Sequence, residues 1–192
     1  MNTSLAPGFL IASPPLGDPN FDRTVVLLAV PNDDGAFGFV VNRPAPLTLG
    51  ELLEQADYEH GHDDATMVWV GGPVQPQSGW VLIEDPSLSG GDSVIEVGDK
   101  LRVSSSRSAF DQLADDVKEG RLADRRRLVM LGYSGWAPSQ LEGEIARGAW
   151  LPVPLDDRIL FDVDPEDRWE AAYKLLGLSL TNVMSMRSIG EA

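Results

Sequence analysis

Thr24-Val25-Val26-Leu27-Leu28-Ala29-Val30, Pro31-Asn32-Asp33-Asp34-Gly35 and Ala36-Phe37-Gly38-Phe39-Val40-Val41 follow one another without a break. The first run is continuously apolar and β-branched at its start, which predicts a strand buried on both faces. The last run is the next strand. Asp34-Gly35 supplies turn chemistry between them, so the two are expected to pair as an antiparallel hairpin. No regular alternation of strand and helix follows. Strands dominate the first half of the chain and helices are interspersed later. The pattern predicts one α+β domain over residues 1–192, built on a largely antiparallel, strongly curved sheet.

Outward from the hairpin, Gly8–Ala12 reads as a short strand stopped by Ser13-Pro14-Pro15. Asp18-Pro19-Asn20 is a turn, because the Asx side chain folds back on the backbone and proline fixes φ. Thr48-x-x-Glu51 is a capping box that opens a helix with Leu49, Leu52, Leu53 and Ala56 on one face. Met67–Val70, Gly79–Ile83, Ser93–Val97 and Leu101–Val103 read as strands. Ser108-x-x-Asp111 is expected to cap a helix with Phe110, Leu113, Ala114 and Val117 as its apolar stripe, ended by Gly120.

Arg127–Gly132 is a core strand. It leads into Tyr133-Ser134-Gly135-Trp136, read as a glycine turn with Trp136 in the core. Ser139-x-x-Glu142 is expected to cap the helix Gln140–Arg147, whose Gln140, Glu144 and Arg147 form a solvated face. Ile159-Leu160-Phe161 reads as a strand. Asp164-Pro165-Glu166 starts a last helix that buries Trp169, Tyr173 and Leu176.

The composition narrows the function classes. There is no cysteine, so disulfides and thiolate chemistry are excluded. The net charge is −15, which disfavours binding of nucleic acid through counterion release. Within this acidic chain, Lys100 to Arg127 holds eight basic residues against five acids. That segment is either a charged helix surface or a basic patch for an anionic partner. The N-terminus lacks a basic segment followed by a long apolar one, and no stretch has the length of a membrane span. A cytoplasmic protein without membrane contact is expected.

Catalytic signals are weak. Gly132-Tyr133-Ser134-Gly135-Trp136 lacks the second glycine of a nucleophile elbow, since Trp136 stands two places after the serine. A serine nucleophile also needs a base. The histidines are His60 and His62, in the polar loop Glu59-His60-Gly61-His62-Asp63-Asp64, which reads as solvated rather than as a metal site. No catalytic residue, metal or cofactor is assigned. Asn20 and Arg23 precede one hairpin strand, and Asn42 and Arg43 follow the other. Pairing would gather them at one end of the sheet. There they could bind a carboxylate or phosphate, or tie down loops through backbone bonds. Gln75, Ser134 and Gln140 complete the set of candidate binding residues.

Four blocks resemble the YqgE/AlgH family of bacterial proteins. They are Gly8–Pro14 with Asp18–Leu28, Gly35–Pro44, Gly71-Gly72-Pro73-Val74-Gln75-Pro76, and Leu131–Glu142. The resemblance covers nearly the whole chain in order. It implies an α+β fold whose bifurcated sheet closes into a pseudo-barrel with flanking helices. It also implies a bacterial cytosolic protein, with transcriptional regulation associated with one branch. Family members often carry histidine where this chain has Pro31, Ile83 and Glu191. The expected function is a non-enzymatic regulatory or binding protein, acting through an unidentified protein partner or a small anionic ligand. The alternative is an enzyme of unknown reaction with a polar pocket around Arg23, Arg43 and Ser134.

Overall fold

The computed structural model describes residues 5–14, 18–32, 35–59, 65–87 and 94–177. The histidine loop, the Asp34 side of the hairpin tip and the tail after Gly177 lie outside the described residues. The strands are β1 (Gly8–Ala12), β2 (Val25–Asn32), β3 (Gly35–Val40), β4 (Pro44–Thr48), β5 (Met67–Val70), β6 (Val74–Glu84), β7 (Val94–Val97), β8 (Leu101–Ser104), β9 (Arg127–Trp136) and β10 (Trp150–Pro154). The helices are α1 (Leu49–Gln55), α2 (Arg107–Lys118), α3 (Gln140–Ala146), α4 (Asp157–Phe161) and α5 (Arg168–Leu175).

The sheet runs β10-β1-β2-β3-β9-β6-β8-β7, and β4 and β5 branch off it. All ladders are antiparallel except β5 with β9. The fork is β9. Its first part pairs with β6 on one side and with β5 on the other, while Ser134, Gly135 and Trp136 pair with β3. The sheet curls strongly into a half-barrel, with β7 returning against β2 and the five helices outside it.

The hairpin of β2 and β3 forms as the sequence predicts, with Asn32 opposite Gly35. Its continuous apolar character has a direct cause. Val25, Leu27 and Ala29 join Phe9, Ile11 and Phe39 in the main core. Val26 and Leu28 point the other way and pack with Leu10, Trp136, Leu141 and Trp150 beneath α3. A side chain such as Leu27, fully buried, contributes about 2 kcal/mol of transfer free energy. A third core lies under α1 and α2, around Leu49, Leu53, Val81, Leu113 and Val129.

Local signals hold at α1. Thr48 accepts from the Glu51 amide, and the Glu51 carboxylate accepts in return from the Thr48 amide at 2.7 Å. Elsewhere they need correction. The cap of α2 is Ser106, not Ser108. Ser139 has φ +63 and makes no cap bond; the Gln140 carboxamide oxygen accepts from the Ala137 amide instead. Tyr133-Ser134-Gly135-Trp136 is not a turn, because β9 runs on to Trp136 through a left-handed Gly132 at φ +70. Ile159-Leu160-Phe161 is helical in α4, started by the Asp156 side chain accepting from the Arg158 amide. Leu176 is exposed rather than buried, whereas Trp169 and Tyr173 are buried as expected.

Candidate functional site

The seven candidate residues do not share one pocket. Ser134 is only 1% exposed, and its hydroxyl donates to the Gly71 carbonyl at 3.2 Å. The reason lies in the fork of the sheet. Gly71 and Gly72 cross β9 so closely that a Cβ on Gly72 would lie 2.3 Å from the Tyr133 carbonyl oxygen and 2.5 Å from Ser134 Oγ. Ser134 is therefore a pin in a backbone crossing, and among the described residues the cleft that holds Arg23 and Arg43 does not include it. Gln75 has φ +45 and bonds Ser78 at the exposed start of β6.

The end of the hairpin does gather Asn20, Arg23, Asn42 and Arg43. Asn42 accepts from the Val25 amide at 2.9 Å and donates to the Arg23 carbonyl at 2.8 Å. Arg43 donates to the carbonyls of Asn20, Pro19 and Asp22. These bonds fasten the 18–23 segment to the sheet. Arg23, at φ +52, lays its guanidinium over Trp169 with 5.7 Å to the ring centroid. A cleft of about 330 Å³ opens here, lined by Arg23, Asn42, Arg43 and Trp169 but also by Asp22, Glu166 and Glu170. Its carboxylates oppose an anion. Asn20 contributes only its backbone to the Arg43 bonds.

Gln140 belongs to a third region. Its carboxamide nitrogen donates to Glu144 at 2.8 Å. The other carboxylate oxygen of Glu144 accepts from the indoles of Trp136, at 2.9 Å, and Trp150, at 2.8 Å. Glu144 is thus turned inward as the shared acceptor for two buried rings, not outward on a solvated face.

A fourth region takes three arginines from the basic segment Lys100 to Arg127 and adds Arg168, which was not among the candidates. Arg125, Arg126, Arg127 and Arg168 line one cleft of about 430 Å³, together with Leu128, Leu160 and Phe161. The start of β9 and the 3₁₀ turn Leu122–Asp124 supply one side, and α4 and α5 supply the other. Arg125 pairs with Asp85 at 2.8 Å, and Arg126 with Asp162 at 3.4 Å and Glu84 at 3.7 Å. Arg127 is buried and pairs with Asp116 at 2.8 Å. Its Nη2 is buried with no hydrogen-bond acceptor.

Arg168 is only 4% exposed, and none of the ion pairs among the described residues includes it. It donates to the Val41 and Val163 carbonyls and stacks on Trp69, 4.6 Å from the ring centroid. Burial pushes its pKa down to about 10, and Asp164 opposes that shift only in part. The guanidinium is still charged at neutral pH. The sequence signal for this residue is an arginine within an otherwise apolar helical face, beside Trp169, Ala172 and Tyr173.

The basic segment from Lys100 to Arg127 is less of a patch than its count implies. Lys100, Arg102, Arg107 and Arg121 each face a carboxylate, as do Arg125 to Arg127. Among the described residues no group of three or more acids or histidines has metal-binding geometry, and no helix is long and apolar enough to cross a membrane.

The AlgH-like family matches residues 9–181. A UPF0301 protein of Anaeromyxobacter dehalogenans is 41% identical over 182 residues, covering 91% of this chain and 89% of the relative. One from Nitrosococcus oceani is 36% identical, covering 96% and 95%. The solution structure of the AlgH protein of Pseudomonas aeruginosa superposes with a TM-score of 0.73 at 38% identity, covering 96% of this chain and 95% of that one. A protein of Corynebacterium diphtheriae has the same fold at 18% identity, with a TM-score of 0.70. Motif order, forked sheet and sequence identity agree: the chain belongs to the AlgH-like family.

Proposed function

We propose that this chain is a non-enzymatic binding protein of the bacterial cytoplasm with a regulatory role, and that its ligand is a small anion held in the arginine cleft. The observation that carries this reading is Arg168: a buried guanidinium that forms no ion pair among the described residues and lines a cleft with three more arginines. A buried cation is costly unless it is paired. A bound oxyanion would supply the missing charge and use N–H groups left over after the existing ion pairs form. The regulatory role rests on the family resemblance. The enzyme reading loses its nucleophile, because the Ser134 hydroxyl is buried and committed to a backbone carbonyl.

Calorimetric titration with benzoate, hexanoate, sulfate and phosphate tests the reading. At low salt at least one anion binds, and the affinity falls as salt rises. Arg126→Ala, at a side chain 47% exposed, weakens it without unfolding the protein. No binding by any of these anions at low salt would end the proposal.

A further inference from the structure

The charges around the cleft specify what kind of anion it accepts. Arg125, Arg126 and Arg127 are each already matched by a carboxylate, from Asp85, Asp162 with Glu84, and Asp116. None of these carboxylates is among the residues that line the cleft, so its surface offers guanidinium donors. Arg168 is the one cation there outside every ion pair among the described residues, and Asp164 acts on it only through space. Because Arg126 meets both Asp162 and Glu84, four carboxylates already stand against the four arginines, and Arg168 is the guanidinium that none of them contacts. A dianion would bring a second negative charge close to Asp85, Glu84 and Asp116 with nothing to balance it.

The cleft is also larger than a bare oxyanion needs. Its volume of about 430 Å³ lies in the range of sites for organic ligands. Leu122 and Phe161, both partly exposed, give it an apolar wall backed by the buried Leu128 and Leu160. Phe161 faces the Arg126 guanidinium, 5.8 Å from its ring centroid. Charged and apolar walls thus meet along one groove. The cleft beside Trp169 differs on both counts, since acids line it and Arg43 is spent on carbonyls.

We infer that the arginine cleft binds an organic monoanion with an apolar body, its singly charged head, of the carboxylate type, at Arg168 and its body along Leu122 and Phe161. The inference rests on the reading of this cleft as an anion site. It places the head at the guanidinium outside the ion pairs and the body along the apolar wall.

The test is a calorimetric series at constant ionic strength: acetate, butyrate and hexanoate, then hexanamide, then inorganic phosphate. Affinity should rise about fourfold for each methylene buried, until the wall is covered. Hexanamide, which has the same body without the charge, should bind at least about tenfold more weakly than hexanoate. Phosphate should bind more weakly than hexanoate. Phe161→Ala should flatten the chain-length dependence, and Arg126→Ala should weaken every anion alike. A flat series, an amide equal to the acid, or phosphate tighter than hexanoate would overturn the inference. Phosphate binding without hexanoate binding would overturn it while leaving the anion-site reading intact. Absence of binding by all of them would remove both.

Discussion

The Ser134 hydroxyl donates a 3.2 Å hydrogen bond to the Gly71 carbonyl, across the point where the sheet forks. The same carbonyl accepts from the Val40 amide at 2.7 Å, so β3, β9 and the β5–β6 connection meet at one oxygen. Ser134→Ala removes one of two donors and leaves the acceptor satisfied. It should cost only about 1 kcal/mol. Gly72→Ala should cost about 3 kcal/mol or more, because its Cβ would enter the Tyr133 carbonyl and the residue sits at φ +155. Urea denaturation of the two variants checks the order, and equal losses would contradict it.

Glu144→Ala should destabilise by about 3 kcal/mol, since it orphans the indole N–H of both Trp136 and Trp150. Glu144→Gln keeps one acceptor oxygen and should cost less. Tryptophan fluorescence should change in both, and more in the alanine variant. A Glu144→Ala protein as stable as the parent would return this residue to the solvated face that its helical spacing suggests.

Arg43→Ala should loosen the 18–23 segment, because three carbonyls lose their donor. The expected cost is about 1 kcal/mol, and hydrogen exchange at the Phe21 and Thr24 amides should speed up. Unchanged exchange there would mean that Asn42 alone holds the segment.

Asp116 sets a pH dependence. Burial works to raise its pKa, but hydrogen bonds from Arg127, Arg121 and Gln112 together prevail and hold it below the ordinary value of 3.8. A carboxyl depressed by folding contributes stability that is complete above its unfolded value. That stability is lost as pH falls through the lower folded one. Asp116→Asn should therefore cost about 3 kcal/mol at neutral pH, by stranding the buried Arg127. It should also flatten the loss of stability below about pH 4. An acid limb identical to that of the parent would contradict this account.

Local chemistry explains which parts of the fold were legible in the sequence. The β2–β3 hairpin was readable because its turn and its apolar runs agree, and α1 because Thr48 and Glu51 act within one turn. The Ser139 box looked equivalent, but a left-handed Ser139 cannot reach the amides that a cap serves. Strands β4 and β10 were missed because each carries two prolines. Each pairs with a single neighbour, and on such edges a missing N–H is tolerated. α4 has three consecutive apolar residues that fit either period, and only the Asp156 cap decides.

The hairpin cluster of Asn20, Arg23, Asn42 and Arg43 was readable from strand pairing, though its bonds proved to be loop ties. Of the arginine cleft, the basic run Arg125 to Arg127 was readable as a candidate anion patch, but its meeting with Arg168 was not. The cleft joins the start of β9 to α4 and α5, a meeting that only the curl of the sheet creates.

The most direct measurement for the anion cleft is an amide chemical-shift titration of the labelled protein with hexanoate. Saturable shifts are predicted at Leu122, Ala123, Leu160, Phe161 and Arg168, and they should vanish with hexanamide. Shifts centred instead on Arg23, Asn42 and Trp169, or no saturable shifts at all, would contradict the assignment of this site.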